Sequence, residues 1–409
     1  MNIELIDFVK AKERIENVLH PTELDYSRTF SNMTGGNIYI KKENDQKTGS
    51  FKVRGATNKI ASMIENGNKS NVVAASAGNH AQGVALAASK FGINATIVMP
   101  KTAPIAKIDA TKGYGANVVL AGSCYDDSYK KAIEICNEEN AIFLHPYDDL
   151  EVITGQGTLA LEILDQLPNT DIIIVPAGGG GLLAGVSTAA KHINPKVKVY
   201  GVQASGANAI VQSFNKKSKI VTETSKTIAD GIAVKNPGDK TLQLIYQNVD
   251  GMLEVSDSEI ADAVLMLIER CKTIVEPSGA APIAAVLSKK IDIKGKNVVC
   301  VASGGNIDVT SISSIIEKGL YARNRKFEAT ILINDGDHSL ISALQIIQNT
   351  GSKVLAVEGA RNSLLIDNET ERIYLVLEAS GDDHKNQILQ ALNDEGFNAK
   401  EIVEKQYLV

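Results

Sequence analysis

Four short stretches carry residue types that can act together on a small charged molecule. In Ser50-Phe51-Lys52-Val53-Arg54-Gly55-Ala56, Lys52 follows an aromatic residue where a helix is expected to open. A lysine stem sheltered beside a ring favours a neutral, reactive amine. In Ser76-Ala77-Gly78-Asn79-His80 a strand is expected to turn into a helix. The N–H groups of such a helix start, with the Ser76 and Asn79 side chains, suit a carboxylate. An ordinary N-cap beside a glycine turn would look the same. Pro176-Ala177-Gly178-Gly179-Gly180-Gly181-Leu182 places four glycines in a row between a strand and a helix. That run costs conformational entropy, and its free N–H groups make a cradle for a phosphate. It lacks the G-x-G-x-x-G order of a dinucleotide site. Ala302-Ser303-Gly304-Gly305-Asn306 ends another strand with a serine, which either bonds a ligand heteroatom or caps a turn.

These stretches must be brought together by the elements that carry them. From about residue 35 to 320, β-branched runs alternate with longer helical stretches such as GNHAQGVALAASKFG. Expected strands cover 37–43, 71–76, 95–100, 117–122, 171–177, 198–203 and 297–303. Alternating strands and helices predict a parallel α/β sheet, whose ligands sit beyond the carboxyl ends of the strands. Ser76, Gly178 and Ser303 all fall at such ends. A lysine, a carboxylate cradle, a phosphate cradle and a polar residue opposite form the inventory of a pyridoxal phosphate enzyme acting on an amino acid.

Composition narrows the field further. With 409 residues the chain predicts two or three domains. A net charge of -6 offers no basic field for nucleic acid. No apolar run is long enough to cross a bilayer, and MNIELIDFVKAKERIENVLH is an amphipathic helix rather than a signal peptide, so a cytoplasmic protein is expected. Cys124, Cys136, Cys271 and Cys300 show neither metal-ligand spacing nor a disulfide framework, and are expected to be reduced and mostly buried.

The segments SFKVRGA, SAGNHAQGVA, PAGGGGLLAG, TIADGIAVKNPG and VASGGNID, in this order, resemble the threonine and serine dehydratases of the tryptophan-synthase-β-like fold. The resemblance covers about residues 5–320. It implies a fold type II catalytic region of two parallel-sheet subdomains over 1–322, with the smaller, about 45–150, inserted in it. It implies pyridoxal 5'-phosphate as cofactor, bonded to Lys52. Phe51 would pack against the cofactor ring, Asn79 would bond its phenolic oxygen, and Gly178, Gly179, Gly180 and Gly181 would hold its phosphate. Ser303 would face the pyridine nitrogen. Ser76, Ala77, Gly78, Asn79 and His80 would form the segment that holds the substrate carboxylate. A serine opposite the pyridine nitrogen leaves that ring neutral and a weaker electron sink, which favours prompt loss of a β-substituent over transamination. The implied activity is loss of water and then ammonia from L-threonine, giving 2-oxobutanoate, with L-serine as a further substrate.

Two departures separate the chain from its racemase relatives. Eukaryotic serine racemases carry a second serine where Ala77 stands, and its hydroxyl is their base on the opposite face. Their divalent-cation site needs acidic residues where Gln203 and Ala209 stand, so no such metal is expected; a monovalent cation on carbonyls stays open. HPTELDYS departs from the usual Thr-Pro-Leu order and blurs the assignment of Thr22. Threonine synthase, cysteine synthase and an amino-acid sensor with an inactive catalytic domain are the competing readings.

After the polar link RNRKF the texture changes. A strand (327–333), a helix (337–349), two strands (352–358 and 372–378), a helix (382–395) and a last strand (398–404) give the βαββαβ order of a ferredoxin-like domain. Residues 327–409 resemble an ACT domain, which implies allosteric control. The loop Asn334-Asp335-Gly336-Asp337-His338 is the expected effector contact. A biosynthetic enzyme of the isoleucine route would answer to isoleucine or valine, a degradative one to a nucleotide. The domain could also serve oligomerisation alone. His338 and His384 are expected on the surface. A homotetramer or homodimer is implied.

Overall fold

Runs of Val, Ile and Ala bounded by polar turns become buried strands, and the Ala-rich stretches between them become the helices that cover the sheets. The computed structural model describes residues 3–334, 338–360 and 370–402. Strands β1 (Leu24–Tyr26) and β2 (Asn37–Lys42) open the chain. Next, β3 (Val72–Ala75), β4 (Ala95–Met99), β5 (Asn117–Leu120) and β6 (Ile142–Phe143) form a parallel sheet in the order β5-β4-β3-β6. Strands β7 (Ile172–Pro176), β8 (Lys198–Ala204), β9 (Gly251–Val255) and β10 (Asn297–Ala302) join the first two in a six-stranded sheet, β1-β2-β10-β7-β8-β9. Only β1 runs antiparallel there.

Each strand expected from the sequence in this region is present. The additions are β1, β6 and β9. Two residues make up β6, and β9 is a half-buried edge strand whose GMLEV run carries a single β-branched residue. The chemistry-bearing stretches sit where the sheet rule puts them. Ser76 follows β3, Gly178 follows β7 and Ser303 follows β10.

The helix Lys52–Glu65 starts at the lysine itself. It packs against the helices Asn79–Phe91 and Leu150–Gln166. Gly83 permits the first contact: a Cβ there would lie 3.0 Å from the Val53 nitrogen and 3.1 Å from the Lys52 carbonyl carbon. The backbone that carries Lys52 is therefore pressed against the neighbouring helix.

The tail folds as β11 (Lys326–Asn334), β12 (Lys353–Ala360), β13 (Thr370–Glu378) and β14 (Lys400–Glu401), antiparallel in the order β12-β13-β11-β14. With the helices Leu340–Asn349 and Asp382–Asp394 this is the ferredoxin-like plan. Alternating residues of β11 (Phe327, Ala329, Ile331) and β13 (Ile373, Leu375, Leu377) enter a separate core with Ile347, Ile388 and Phe397. Asp335, Gly336 and Asp337 of the expected effector loop, and residues 403–404 of the expected last strand, lie outside the described residues.

The chain divides into two compact units, 1–309 and 310–409. All but the first residue of the helix Val309–Ala322, expected with the catalytic part, thus groups with the second unit. All four cysteines are free, but only Cys136 and Cys300 are buried; Cys124 is exposed and Cys271 half-buried.

Candidate active site

Lys52 occupies the first position of its helix, where the helix dipole disfavours a positive charge. Burial pulls its pKa down to about 8, opposed by the nearby carboxylate of Glu276. Its Nζ donates to the Pro146 carbonyl at 2.9 Å and stands 5.3 Å from the Phe51 ring centroid. The Phe51 N–H donates to the Ser303 carbonyl at 3.1 Å, which ties the lysine to the end of β10.

Glu276 is the residue the sequence reading passed over. It is 5% exposed, and burial together with the negative charge of Asp230 raises its pKa to about 7. Asn79 Nδ2 donates to Glu276 Oε1 at 2.8 Å, and Asn306 Nδ2 donates to Asn79 Oδ1 at 2.7 Å. Three elements thereby orient one amide. The available signal was a lone acid in the apolar stretch VEPSGAAPIAAV, placed as the N-cap of the helix Pro277–Leu287.

The glycine run lies between β7 and the helix Gly181–Ile193, with Gly180 at φ +98°. A Cβ on Gly179 would stand 2.4 Å from the Tyr147 ring, and Thr241 Oγ1 donates to the Gly179 carbonyl at 2.8 Å. On the other side, a Cβ on Gly304 would stand 2.5 Å from Glu276 Oε1 and 3.1 Å from Asn79 Nδ2. At both positions a side chain would collide with groups already packed there, the Tyr147 ring and the Asn79–Glu276 pair. Ser50 Oγ and Ser278 Oγ are buried without a hydrogen-bond partner. A helix start with free N–H groups and two unspent hydroxyls fit a phosphorylated ring compound.

The expected carboxylate segment is more mixed. Ser76 Oγ accepts the Gly78 N–H at 3.3 Å, within its own turn. Ala77 packs against the core of the smaller sheet. The His80 ring is buried and its Nε2 is spent on the Leu144 carbonyl at 2.9 Å. Burial and the charge of Lys52 lower its pKa to about 3, so the ring stays neutral and brings no positive charge to an anion. Elsewhere, buried Gln203 donates to the Ala177 carbonyl at 3.0 Å and accepts the Val211 N–H at 2.9 Å. No cluster of three or more His, Cys, Asp or Glu suited to a metal occurs among the described residues.

The family model described as "Pyridoxal-phosphate dependent enzyme" matches residues 15–304. The chain belongs to this family. Its fold is the two-sheet type II arrangement, and pyridoxal phosphate is its cofactor. An L-threonine ammonia-lyase of Thermotoga maritima is 47% identical over 97% of this chain and 99% of its own length. A Staphylococcus aureus protein named "L-threonine dehydratase catabolic TdcB" is 48% identical over 78% of this chain and 93% of its own. Maize serine racemase superposes with a TM-score of 0.74 at 35% identity, covering 78% of this chain and 99% of that one.

Proposed function

We propose that this enzyme removes water and then ammonia from L-threonine, yielding 2-oxobutanoate, and that it also accepts L-serine. The observation that carries the reading is the buried Lys52 amine, with a pKa of about 8, beside the Asn79–Glu276 pair. An amine titrating near neutrality can take the substrate α-proton, which with the departing β-hydroxyl makes up the water that is lost. When bound, pyridoxal phosphate supplies the electron sink that makes this proton removable. In this reading Lys52 would also bond the cofactor, while Phe51 and Asn79 would orient its ring and Gly178, Gly179, Gly180 and Gly181 would hold its phosphate. Ser303 would face its ring nitrogen. The turn Ser76–His80 would hold the substrate carboxylate through backbone N–H groups, that of Asn79 among them, and the Ser76 hydroxyl, since His80 is neutral.

The likeness to a serine racemase raises racemisation as a second reading. Ala77 has no hydroxyl to act as a base on the opposite face, which favours elimination. Residues 1–322 serve as the catalytic domain, with about 45–150 as its smaller subdomain, and 327–409 as an ACT-like regulatory domain. The catabolic name of the Staphylococcus relative favours a degradative role over isoleucine biosynthesis. A cytoplasmic homotetramer or homodimer is the working assembly; no described helix is long and apolar enough to span a membrane.

The test is purified enzyme with pyridoxal phosphate and L-threonine or L-serine, followed by 2-oxo acid release, beside Lys52→Ala. Isoleucine, valine, AMP and ADP are added singly. Turnover on L-threonine that vanishes in Lys52→Ala is expected. A visibly loaded enzyme that releases no 2-oxo acid from either substrate would refute the elimination reading.

A further inference from the structure

The segment His145-Pro146-Tyr147-Asp148-Asp149 reaches four parts of the site at once. Pro146 accepts the Lys52 amine at 2.9 Å, and the Tyr147 ring lies against Gly179. The Tyr147 hydroxyl donates to the Asn236 carbonyl at 3.1 Å. The Asp148 carboxylate accepts the N–H groups of Asp239, Lys240 and Thr241 at 3.1, 2.9 and 3.1 Å, and Thr241 in turn holds the Gly179 carbonyl. Asp149 accepts Lys59 of the lysine helix at 2.7 Å and caps the helix Leu150–Gln166.

One side chain shapes the turn from which these groups project. His145 Nδ1 accepts the Tyr147 N–H at 3.2 Å and the Asp148 N–H at 2.8 Å. The Tyr147 ring stands edge-on to the imidazole, 4.6 Å between centroids. A side-chain acceptor that reaches the N–H groups two and three residues ahead does what an Asx turn does. Both bonds require an unprotonated Nδ1. Burial lowers the His145 pKa against the pull of Asp148, which keeps the ring in that form.

We propose that His145 is a positioning residue, which fixes the 145–148 turn and so sets the Pro146 carbonyl and, through it, the Lys52 nitrogen. The inference rests on Lys52 being the cofactor-bonding lysine. Proton transfer depends on placement, and a shift of about 1 Å can cost on the order of a hundredfold in rate.

The test compares full-length holoenzyme carrying His145→Phe, which keeps a ring but removes the acceptor, with His145→Asn, whose short amide oxygen can reach the same N–H groups. Three measurements are made: amide exchange at Tyr147 and Asp148, the pH midpoint of the cofactor's visible band, and steady-state kinetics (kcat, KM and isotope effect) with L-threonine and its α-deuterated form. For His145→Phe the expected results are faster exchange, a displaced midpoint, a kcat lowered by about tenfold or more with little change in KM, and a larger isotope effect. His145→Asn is expected to restore all of these. If His145→Phe does not fold, His145→Asn decides: near-native values support the role, and native folding with the midpoint and kcat both lost overturns it. A folded His145→Phe with native midpoint and kcat overturns it too. If wild-type enzyme fails to turn over, the proposed substrate falls, while exchange and the band midpoint still judge His145.

Discussion

At the scale of single residues, packing sets the chemistry by removing water from ionisable groups. Lys52 and Glu276 are moved toward neutrality from opposite sides, the lysine down to about 8 and the carboxyl up to about 7. For Glu276 the sign follows directly. Its folded-state pKa exceeds the ordinary 4.5, so the folded chain holds a proton that the unfolded chain has released between about pH 4.5 and 7. Its contribution to stability is therefore largest below pH 4.5 and declines as pH rises through 7. In cofactor-free enzyme, Glu276→Gln is expected to flatten this decline, by on the order of 2–3 kcal/mol across the window. Thermal melts at half-unit pH steps read it; parallel curves for both proteins would show that Glu276 is not protonated in the fold. The apolar letters around Glu276 hint at burial but do not give this shift, because much of the desolvation comes from residues far away in sequence.

At the scale of elements, the lysine helix is tied down by ion pairs as well as by packing. Arg54, two residues beyond Lys52, is fully buried and bonds Glu43 at 2.7 and 2.8 Å and Glu162 at 2.6 and 3.1 Å. Lys41 reaches Glu162 at 2.8 Å, and Thr22 donates to Glu43 at 2.6 Å. Two cations and two carboxylates thus join β2, the turn after it, the lysine helix and the helix Leu150–Gln166. The unusual HPTELDYS segment takes its place in this network through Thr22. Breaking such a network from one side leaves charges buried and alone. Arg54→Met is expected to cost about 3–5 kcal/mol in urea unfolding, with part regained on adding Glu43→Gln. No recovery in the double variant would mean that Arg54 contributes shape rather than charge. The strands were legible as β-branched runs, whereas this network was not: its four charges lie up to 121 residues apart.

At the scale of the whole molecule, the two units have separate cores, and the Staphylococcus relative matches 322 residues of this chain over 93% of its own length. A chain ending at Ala322 is therefore expected to keep threonine turnover and lose any response to isoleucine, valine, AMP or ADP. Assays of the shortened and full chains side by side check this. An effector response that survives the truncation would place the effector site in the catalytic unit. A truncated chain that folds but does not turn over would show that catalysis needs the tail.

The sequence by itself determined the alternation of strands and helices, the βαββαβ order of the tail, and the positions of Lys52, the Ser76–His80 turn, the glycine run and Ser303 at strand or helix ends. Those features are local: periodicity and turn chemistry act over a few residues, and motifs are contiguous. The tertiary structure alone decided which groups meet. It set Glu276 on Asn79, 197 residues away, and the Pro146 carbonyl on Lys52, 94 residues away. It turned the His80 ring onto Leu144 and made the Lys52 amine a base near neutrality. Hydrogen-bond partners and desolvation belong to the packed interior, where distance along the chain no longer orders distance in space.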